Sequence, residues 1–418
     1  MDKKYNKSQG EIKLFPIHDF SAKLRQGEVL SRLKDYVNWQ IGVRKQSTVS
    51  PSSLPNFAPV SINLDITTAC NFACDHCVDK EILNTKERYQ QGKLLDSLKV
   101  MSDRGLKSVI VIGGGEPTLY RYFVETIEFM KSLGLQVAVV SNGSRTDRIA
   151  EVAHCLDAND WVRLSLDSGS DEIFQAMHKP LIRITLDEIC EGVPKIKTIN
   201  PNFKVGFSFI ITWQNARIND TNIVENLDEM VQAAQRAKDY RFDYVAFKPF
   251  LTRAEENNAE IVDLNETQKH FDQIKRRISV SLEEAKKLES DSFQVYATTN
   301  LKVLLKGISE KYMNQPHQCH MQYFRQVLSP LGLYNCPVYR NQPNGRLGNL
   351  DAYSSKDLFN ITLADTGQKI KTFDSAHECR EVTCLYNTVN WWIEDLIENP
   401  EKLESLAPPV DFVPDFFL

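Results

Sequence analysis

The chain has 418 residues, 42% of them hydrophobic, and a formal net charge of −5. That length suffices for one large domain plus a smaller one, each with a buried core. The acidic balance argues against a nucleic-acid-coating surface, no apolar run reaches the length of a membrane span, and the Lys-rich start has no signal-peptide stretch. A cytoplasmic protein with no nucleic-acid and no membrane partner is therefore expected. Nine cysteines, seven of them clustered in two regions, then read as metal ligands in a reducing compartment rather than as disulfides.

Residues 1–60 read as a helical leader and connector. Phe20 to Val43 carries a helical apolar rhythm through Leu24, Val29, Leu30, Leu33, Tyr36, Val37 and Trp39. Gln46 to Pro59, rich in Ser and Pro, reads as a connector. A helix packed outside the main domain and a cap over a substrate opening both stay open.

From residue 61 strand and helix signals alternate, which predicts an α/β fold with a mostly parallel sheet. Strands are expected near 61–66, 107–112, 135–141, 161–166, 204–211 and 243–248. Helical patterns lie near 92–104, 121–133, 145–156, 171–177, 185–198 and 221–238. The first strand leads into Cys70, Cys74 and Cys77, three thiols from one loop. Such a triplet ligates three corners of a cubane iron–sulfur cluster and leaves the fourth iron open to a small molecule. A zinc knuckle, with His76 as a fourth ligand, is the alternative. The second strand ends in Gly113, Gly114, Gly115 and Glu116, and three glycines there let a ligand approach the backbone closely.

In this order and spacing the two motifs resemble those of the radical S-adenosylmethionine (radical SAM) superfamily. The resemblance implies a partial (β/α)6 TIM-like barrel over residues 61–250. It also implies a [4Fe–4S] cluster on Cys70, Cys74 and Cys77, and S-adenosylmethionine (SAM) bound beside Gly113, Gly114, Gly115 and Glu116. Barrels of this type carry their chemistry at the C-terminal ends of the strands. There Ser141 and Asn142 resemble the ribose-side contacts, although Ser-Asn-Gly is also an ordinary turn. Arg163, Ser165 and Asp167 alternate and so share a face. If that face is the lumen, Ser165 reaches the cofactor, and Arg163 or Asp167 reaches cofactor or substrate; a structural Arg–Asp pair is the other reading. Lys248, where the sixth strand ends, either binds a substrate anion or snorkels to solvent. His178 reads as an exposed loop histidine.

Residues 251–312 read as a helical linker, with one amphipathic helix over 263–290 opened by Asn265. Beyond it Val327 to Asn335 reads as a hairpin turned at Pro-Leu-Gly, between Cys319 and Cys336. With Cys379 and Cys384 downstream, residues 313–390 resemble a Twitch domain, the shortened form of the SPASM extension. That implies one auxiliary [4Fe–4S] cluster on these four cysteines. The final Cys-x4-Cys is longer than the usual pair, which leaves His317, His320 and His377 as stand-ins; a structural zinc is the other reading. Cys155 and Cys190 read as small buried residues, and residues 391–418 as a helix and tail.

The resemblance implies reductive cleavage of SAM by an electron from a flavodoxin- or ferredoxin-like reductant. The deoxyadenosyl radical then removes a substrate hydrogen. The first reading is an oxidoreductase that dehydrogenates a small-molecule polar substrate, with the auxiliary cluster as electron acceptor. The alternative is radical modification of a ribosomally made precursor peptide. A third reading, a non-catalytic electron carrier or zinc-held scaffold, fits poorly with Gly113 to Glu116 beside an open cluster.

Overall fold

Runs such as Ser108-Val-Ile-Val and Gln136-Val-Ala-Val-Val-Ser are β-branched and apolar, as strands buried on both faces require. The computed structural model of the chain describes residues 18–45, 50, 53–218, 221–256, 258–262, 268–410 and 413–418. The Lys-rich start, part of the 46–59 connector and the Asn265 cap lie outside the described residues. The main strands are β1 (Ser61–Leu64), β2 (Ser108–Val111), β3 (Gln136–Ser141), β4 (Trp161–Ser165), β5 (Lys204–Ile211) and β6 (Tyr244–Pro249). Four more follow: β7 (Gln294–Ala297), β8 (Arg325–Ser329), β9 (Gly332–Tyr334) and β10 (Arg346–Gly348). One ten-stranded sheet joins them in the order β7-β6-β5-β4-β3-β2-β1-β8-β9-β10. Every pairing from β7 through β8 is parallel, and only β8-β9-β10 is antiparallel. The expected βα repeat is present, with one strand (β7) added beyond β6 and three (β8, β9 and β10) beyond β1.

Those additions depart from the expected layout. Residues 251–312 are not purely helical, because Thr252–Arg253 pairs with Glu260–Ile261 and β7 pairs with β6. Four residues are too few to show a period of two against flanking polar sequence. The last expected barrel helix starts only at Met230, because Asn226 is drawn away. Its amide nitrogen donates to the carbonyls of Asp167 and Ile210, and its oxygen accepts the Thr212 N–H. The 185–198 helix divides into Leu186–Cys190 and Gly192–Ile199.

Side chains alternate about the sheet. On β4, Val162 and Leu164 are fully buried in the core shared with the helices, whereas Trp161, Arg163 and Ser165 stay partly accessible on the inner face. The lower part of that inner face is sealed. Phe417 packs on Ile110, Ala138, Val140 and Trp161, and Ser108 and Gln136, at the starts of their strands, hydrogen-bond the backbone of residues 414–416. Helix α1 (Phe20–Leu24) closes the same end: Lys23, fully buried, donates to the Phe417 carbonyl and pairs with Asp415 at 2.9 Å. Among the described residues, α1 therefore lies at the opposite end of the strands from the cysteines.

Helix α2 (Gly27–Lys45) buries Val29, Leu33, Tyr36, Val37 and Trp39 against Tyr323, Phe324 and the helix Asn387–Glu398. Tyr36 stacks on Tyr323 with centroids 4.9 Å apart. Arg44 donates twice to Glu394 at 2.7 and 2.8 Å, and His320 meets the same carboxylate at 3.0 Å. Burial alone would raise Glu394, but Arg44 and His320 hold it down at about 2, from an ordinary 4.5. A depressed carboxylate stabilises the fold above its unfolded value and loses that contribution as pH falls toward the folded one. Glu394→Gln should therefore cost about 3 kcal/mol at pH 7. Denaturant midpoints should show the difference from wild type shrinking below pH 4.5; a pH-independent difference would refute the ion-pair account.

Candidate functional site

The cysteine loop is tied down on three sides. Ala73 N–H donates to the His178 carbonyl at 3.1 Å, Cys70 N–H to the Asn84 side chain at 2.9 Å, and Glu116 N–H to the Ala69 carbonyl at 2.8 Å. Cys70, Cys74 and Cys77 face one another closely enough for each thiolate to disfavour the next. Burial first, and these neighbours second, push Cys74 well up; Cys77 rises to about 12. Such thiols give up their protons only to a strongly cationic centre.

Thiolates about 2.3 Å from one tetrahedral zinc lie roughly 4 Å from each other. Among the described residues no three cysteine sulfurs all fall within 4.8 Å of one another; the one such ligand group is Cys74, His76 and His178. The two rings are already engaged on their Nε2 atoms, His76 by Asp167 at 3.2 Å and His178 by the Leu166 carbonyl at 2.9 Å. The seven clustered cysteines suit polynuclear centres rather than single ions. His178 is not the exposed residue expected. It is buried, lies 3.2 Å through Nδ1 from the Cys74 sulfur, and is kept neutral by burial, at about 4.

Glu116 is 2% exposed, and both its oxygens are occupied. Oε1 accepts from the Thr118 backbone and hydroxyl and from Ser141 Oγ, and Oε2 accepts Asn142 N–H at 2.7 Å. Glu116 thus caps the helical turn after it and fixes the end of β3. Asn142 also donates to Asn71 in the cysteine loop at 2.9 Å. The glycines serve protein neighbours as well as any ligand. Gly113 and Gly114 adopt φ +72 and +70, and a Cβ on Gly113 would meet the Arg340 guanidinium. On Gly115 it would lie 2.3 Å from the Ala69 carbonyl oxygen, which is backbone and cannot yield. Gly115→Ala should thus displace the cysteine loop and cost about 3 kcal/mol. Thermal melts and iron uptake read this, with Gly92→Ala, where nothing lies within 4 Å, as the silent control. Equal behaviour of the two variants would overturn the packing argument.

Arg163, Ser165 and Lys248 share the accessible inner face. Asp167 departs from that row: at φ +51 its carboxylate accepts the Ile210 N–H at 2.7 Å and meets His76. Burial opposes its charge, but His76 and His178 hold it below the usual carboxylate range. It forms no pair with Arg163, so the alternative reading of a structural Arg163–Asp167 pair is not met among the described residues.

Cys319, Cys336, Cys379 and Cys384 also converge. Burial and the other thiols raise Cys379 and Cys384 well above the ordinary range, and Cys336 to about 12. N–H groups already point at the sulfurs, from Tyr386 to Cys384 at 3.3 Å and from Asn390 to Cys319 at 3.7 Å. Of the three histidines, His317 and His377 are exposed, and His320 is turned to Glu394 and Tyr36. Cys190 is buried as expected, and Cys155 half-buried.

Between the two cysteine groups lies a charge network that sequence reasoning missed. Arg340 pairs with Asp79 and stands 3.5 Å from Asp65, whose two oxygens have no hydrogen-bond partner among the described residues. Burial lifts Asp65 to about 8 and Glu260 to about 7, against the pull of Arg340. A cavity of about 250 Å³ opens beside it, lined by Cys77, Asp79, Arg253 and Arg340.

The family model described as the radical SAM superfamily matches residues 64–217. Residues 64–217 are a radical SAM domain. Such a domain works with a [4Fe–4S] cluster and SAM. A nucleotide dehydratase named as SAM-dependent, from Thermoplasmatales archaeon strain ISO4-H5, is 34% identical over 27% of this chain and 40% of its own length. Mycofactocin maturase MftC of Mycolicibacterium smegmatis is 33% identical over 43% of this chain and 42% of its own. The chain thus spans less than half of either relative. Streptococcus suis SuiB bound to SAM superposes with a TM-score of 0.52 at 13% identity, over 76% of this chain and 69% of that one. Native anSMEcpe bound to SAM gives 0.51 at 16% identity, over 83% and 99%. These structures share the fold: a TIM-like radical SAM barrel with a C-terminal domain.

Proposed function

We propose that the chain is a radical SAM oxidoreductase that removes two electrons and two protons' worth of hydrogen from a small polar molecule held in the lumen. The observation that carries this reading is the contrast between its two thiol sets. A three-thiol set leaves one iron open, whereas a four-thiol set leaves none, so the second centre is suited to passing electrons rather than binding substrate. Cys70, Cys74 and Cys77 would hold the first cluster, and Cys319, Cys336, Cys379 and Cys384 an auxiliary [4Fe–4S] cluster. Together with SAM and an electron from a flavodoxin- or ferredoxin-like reductant, the first cluster would supply the radical chemistry that takes hydrogen from the substrate.

The remaining work falls to the chain. Gly113 to Glu116, Ser141, Asn142 and Ser165 form the rim on which SAM would lie. The Glu116 carboxylate, fixed by Ser141, Asn142 and Thr118, presents a pre-ordered anionic edge to an amino group. Phe417 and α1 exclude water from below. Arg340 binds the loop after Cys336 to Asp79 beside Cys77, which sets one cysteine group against the other. Residues 61–250 would be the barrel and 313–390 the electron-accepting domain, although β8 and β9 join the barrel's own sheet.

Peptide modification is favoured by a different observation: the charged cavity beside Cys77 is also lined by Asp75, Lys80 and Gln342, of which Lys80 is exposed. SuiB, which shares the fold, has been solved with its precursor peptide SuiA at a TM-score of 0.51. Incubating reconstituted protein, SAM and reductant with deuterated alcohols and with peptides tests both readings. Deuterium in deoxyadenosine together with a ketone supports oxidation; label transfer only from peptide replaces it with the second reading.

A further inference from the structure

We infer that the inner face of the barrel holds a binding site for an anionic group of the substrate, phosphate or carboxylate, built on Lys248 and Arg163. The inference rests on the radical SAM reading and names the substrate class of that site. Lys248 lies on the inner face of β6, the one partly accessible position in an otherwise buried strand. Arg163 stands one layer below Ser165 on β4, its guanidinium 5.1 Å from the Trp161 ring and its Nε buried without a hydrogen-bond partner. Among the described residues neither cation has a hydrogen-bond or ion-pair partner. The acid nearest in sequence and fold, Asp167, spends one oxygen on the Ile210 N–H and the other on His76.

The surroundings add further positive charge. Arg325, also on this face, is bound to the neutral Asn63 and Tyr386 rather than to a carboxylate. His18 is held neutral at about 3 by burial and by Lys23, Arg163, Arg325 and Lys302. Burial and the charge of Arg163 likewise bring Lys248 down to about 8, against the weaker pull of Asp167, which it does not contact. Two unpaired cations sharing a shielded space are costly unless an anion joins them. Arginine and lysine are also the side chains best suited to oxyanions. Gly206 on β5 pairs with Arg163, and the Tyr244 ring fills the place of its missing side chain, so the neighbour of Arg163 on that side is a neutral phenol rather than a carboxylate.

Position separates this site from the rim proposed for SAM. The rim proposed for SAM runs from Gly113 to Glu116 after β2, through Ser141 on β3, to Ser165 on β4, whereas Lys248 on β6 lies two strands beyond β4 and four beyond β2. At about 4.8 Å per strand that is roughly 10 Å from Ser165 and roughly 19 Å from the glycines along the sheet. A group held at Lys248 therefore belongs to a second molecule rather than to the methionine end of the cofactor.

The test uses full-length, anaerobically reconstituted protein in low-chloride buffer. Inorganic pyrophosphate and malonate are titrated calorimetrically as separate probes, with and without saturating SAM. Wild type should bind at least one probe in the presence of SAM, and Lys248→Met and Arg163→Gln should each weaken it tenfold or more. Lys248→Arg should retain binding. Without a probe, Lys248→Met should melt at a higher temperature than wild type, because an unpaired buried charge has been removed. A structural lysine would give the opposite shift and overturn the proposal. It also falls if neither probe binds, if the variants bind as wild type does, or if SAM displaces the probe. Iron content and SAM binding are read on the same samples. Normal values without probe binding sink this inference alone, whereas failure to bind SAM overturns it together with the radical SAM reading.

Discussion

Replacing Cys70, Cys74 and Cys77 together by alanine is expected to abolish SAM cleavage and to halve bound iron. Two cubanes carry about eight irons per chain, and the variant should keep about four. The two sets are independent in the fold. The first stands in the loop after β1; the second is drawn from residues flanking the β8–β9 hairpin and from Cys379 and Cys384. The triple variant should nevertheless fold, because the loop is also held by Ala73 N–H on His178, Cys70 N–H on Asn84 and the Ala69 carbonyl on Glu116. Iron, zinc and acid-labile sulfide analysis checks this beside circular dichroism. Stoichiometric zinc in the variant would remove the auxiliary cluster and leave the first assignment standing. Eight irons retained would remove both.

What the sequence disclosed follows from where physics leaves a local mark. The six barrel strands were legible because β-branched runs between helical patterns have few alternative folds. The cysteine loop and Gly113 to Glu116 were legible because ligand chemistry and tight backbone approach each demand particular residue types at fixed spacing. The inner-face placement of Arg163 and Ser165 came from a period of two. Asp167 broke that period because its backbone turns left-handed and its carboxylate accepts the Ile210 N–H near the end of β5. His178 looked like a loop residue because nothing local shows that Phe72, Phe174 and Asp167 enclose it. Arg340 was invisible for the same reason, as its partners Asp65 and Asp79 lie more than 250 positions away. Only its place four residues after Cys336 gave a signal. The flanking strands β7 and β8 are defined by what they pair with, β6 and β1, rather than by their own composition.

Removing Cys379 and Cys384 is expected to separate two events that otherwise proceed together. Neither belongs to the loop after β1 or to Gly113 to Glu116, and their backbone bonds run to Tyr312, Ser375 and Asn387, so the first thiol set and the SAM rim should stay intact and SAM cleavage persist. An alcohol carbon that has lost a hydrogen atom must still lose one proton and one electron to become a carbonyl. Without the four-thiol centre that electron has no acceptor in the chain, so deoxyadenosine should accumulate with substrate deuterium in it and without oxidised product. A purely structural role gives a different pattern. Cys384 N–H donates to the Tyr312 carbonyl, Tyr386 N–H to the Cys384 sulfur, and Val382 N–H to the Cys379 carbonyl, so loss of a stabilising metal would loosen residues 313–390. Proteolysis would then cut there, substrate binding would weaken, and deuterium transfer would be lost with product. Retained transfer with no product supports the electron-accepting role, loss of transfer supports the structural one, and undiminished product formation would defeat both.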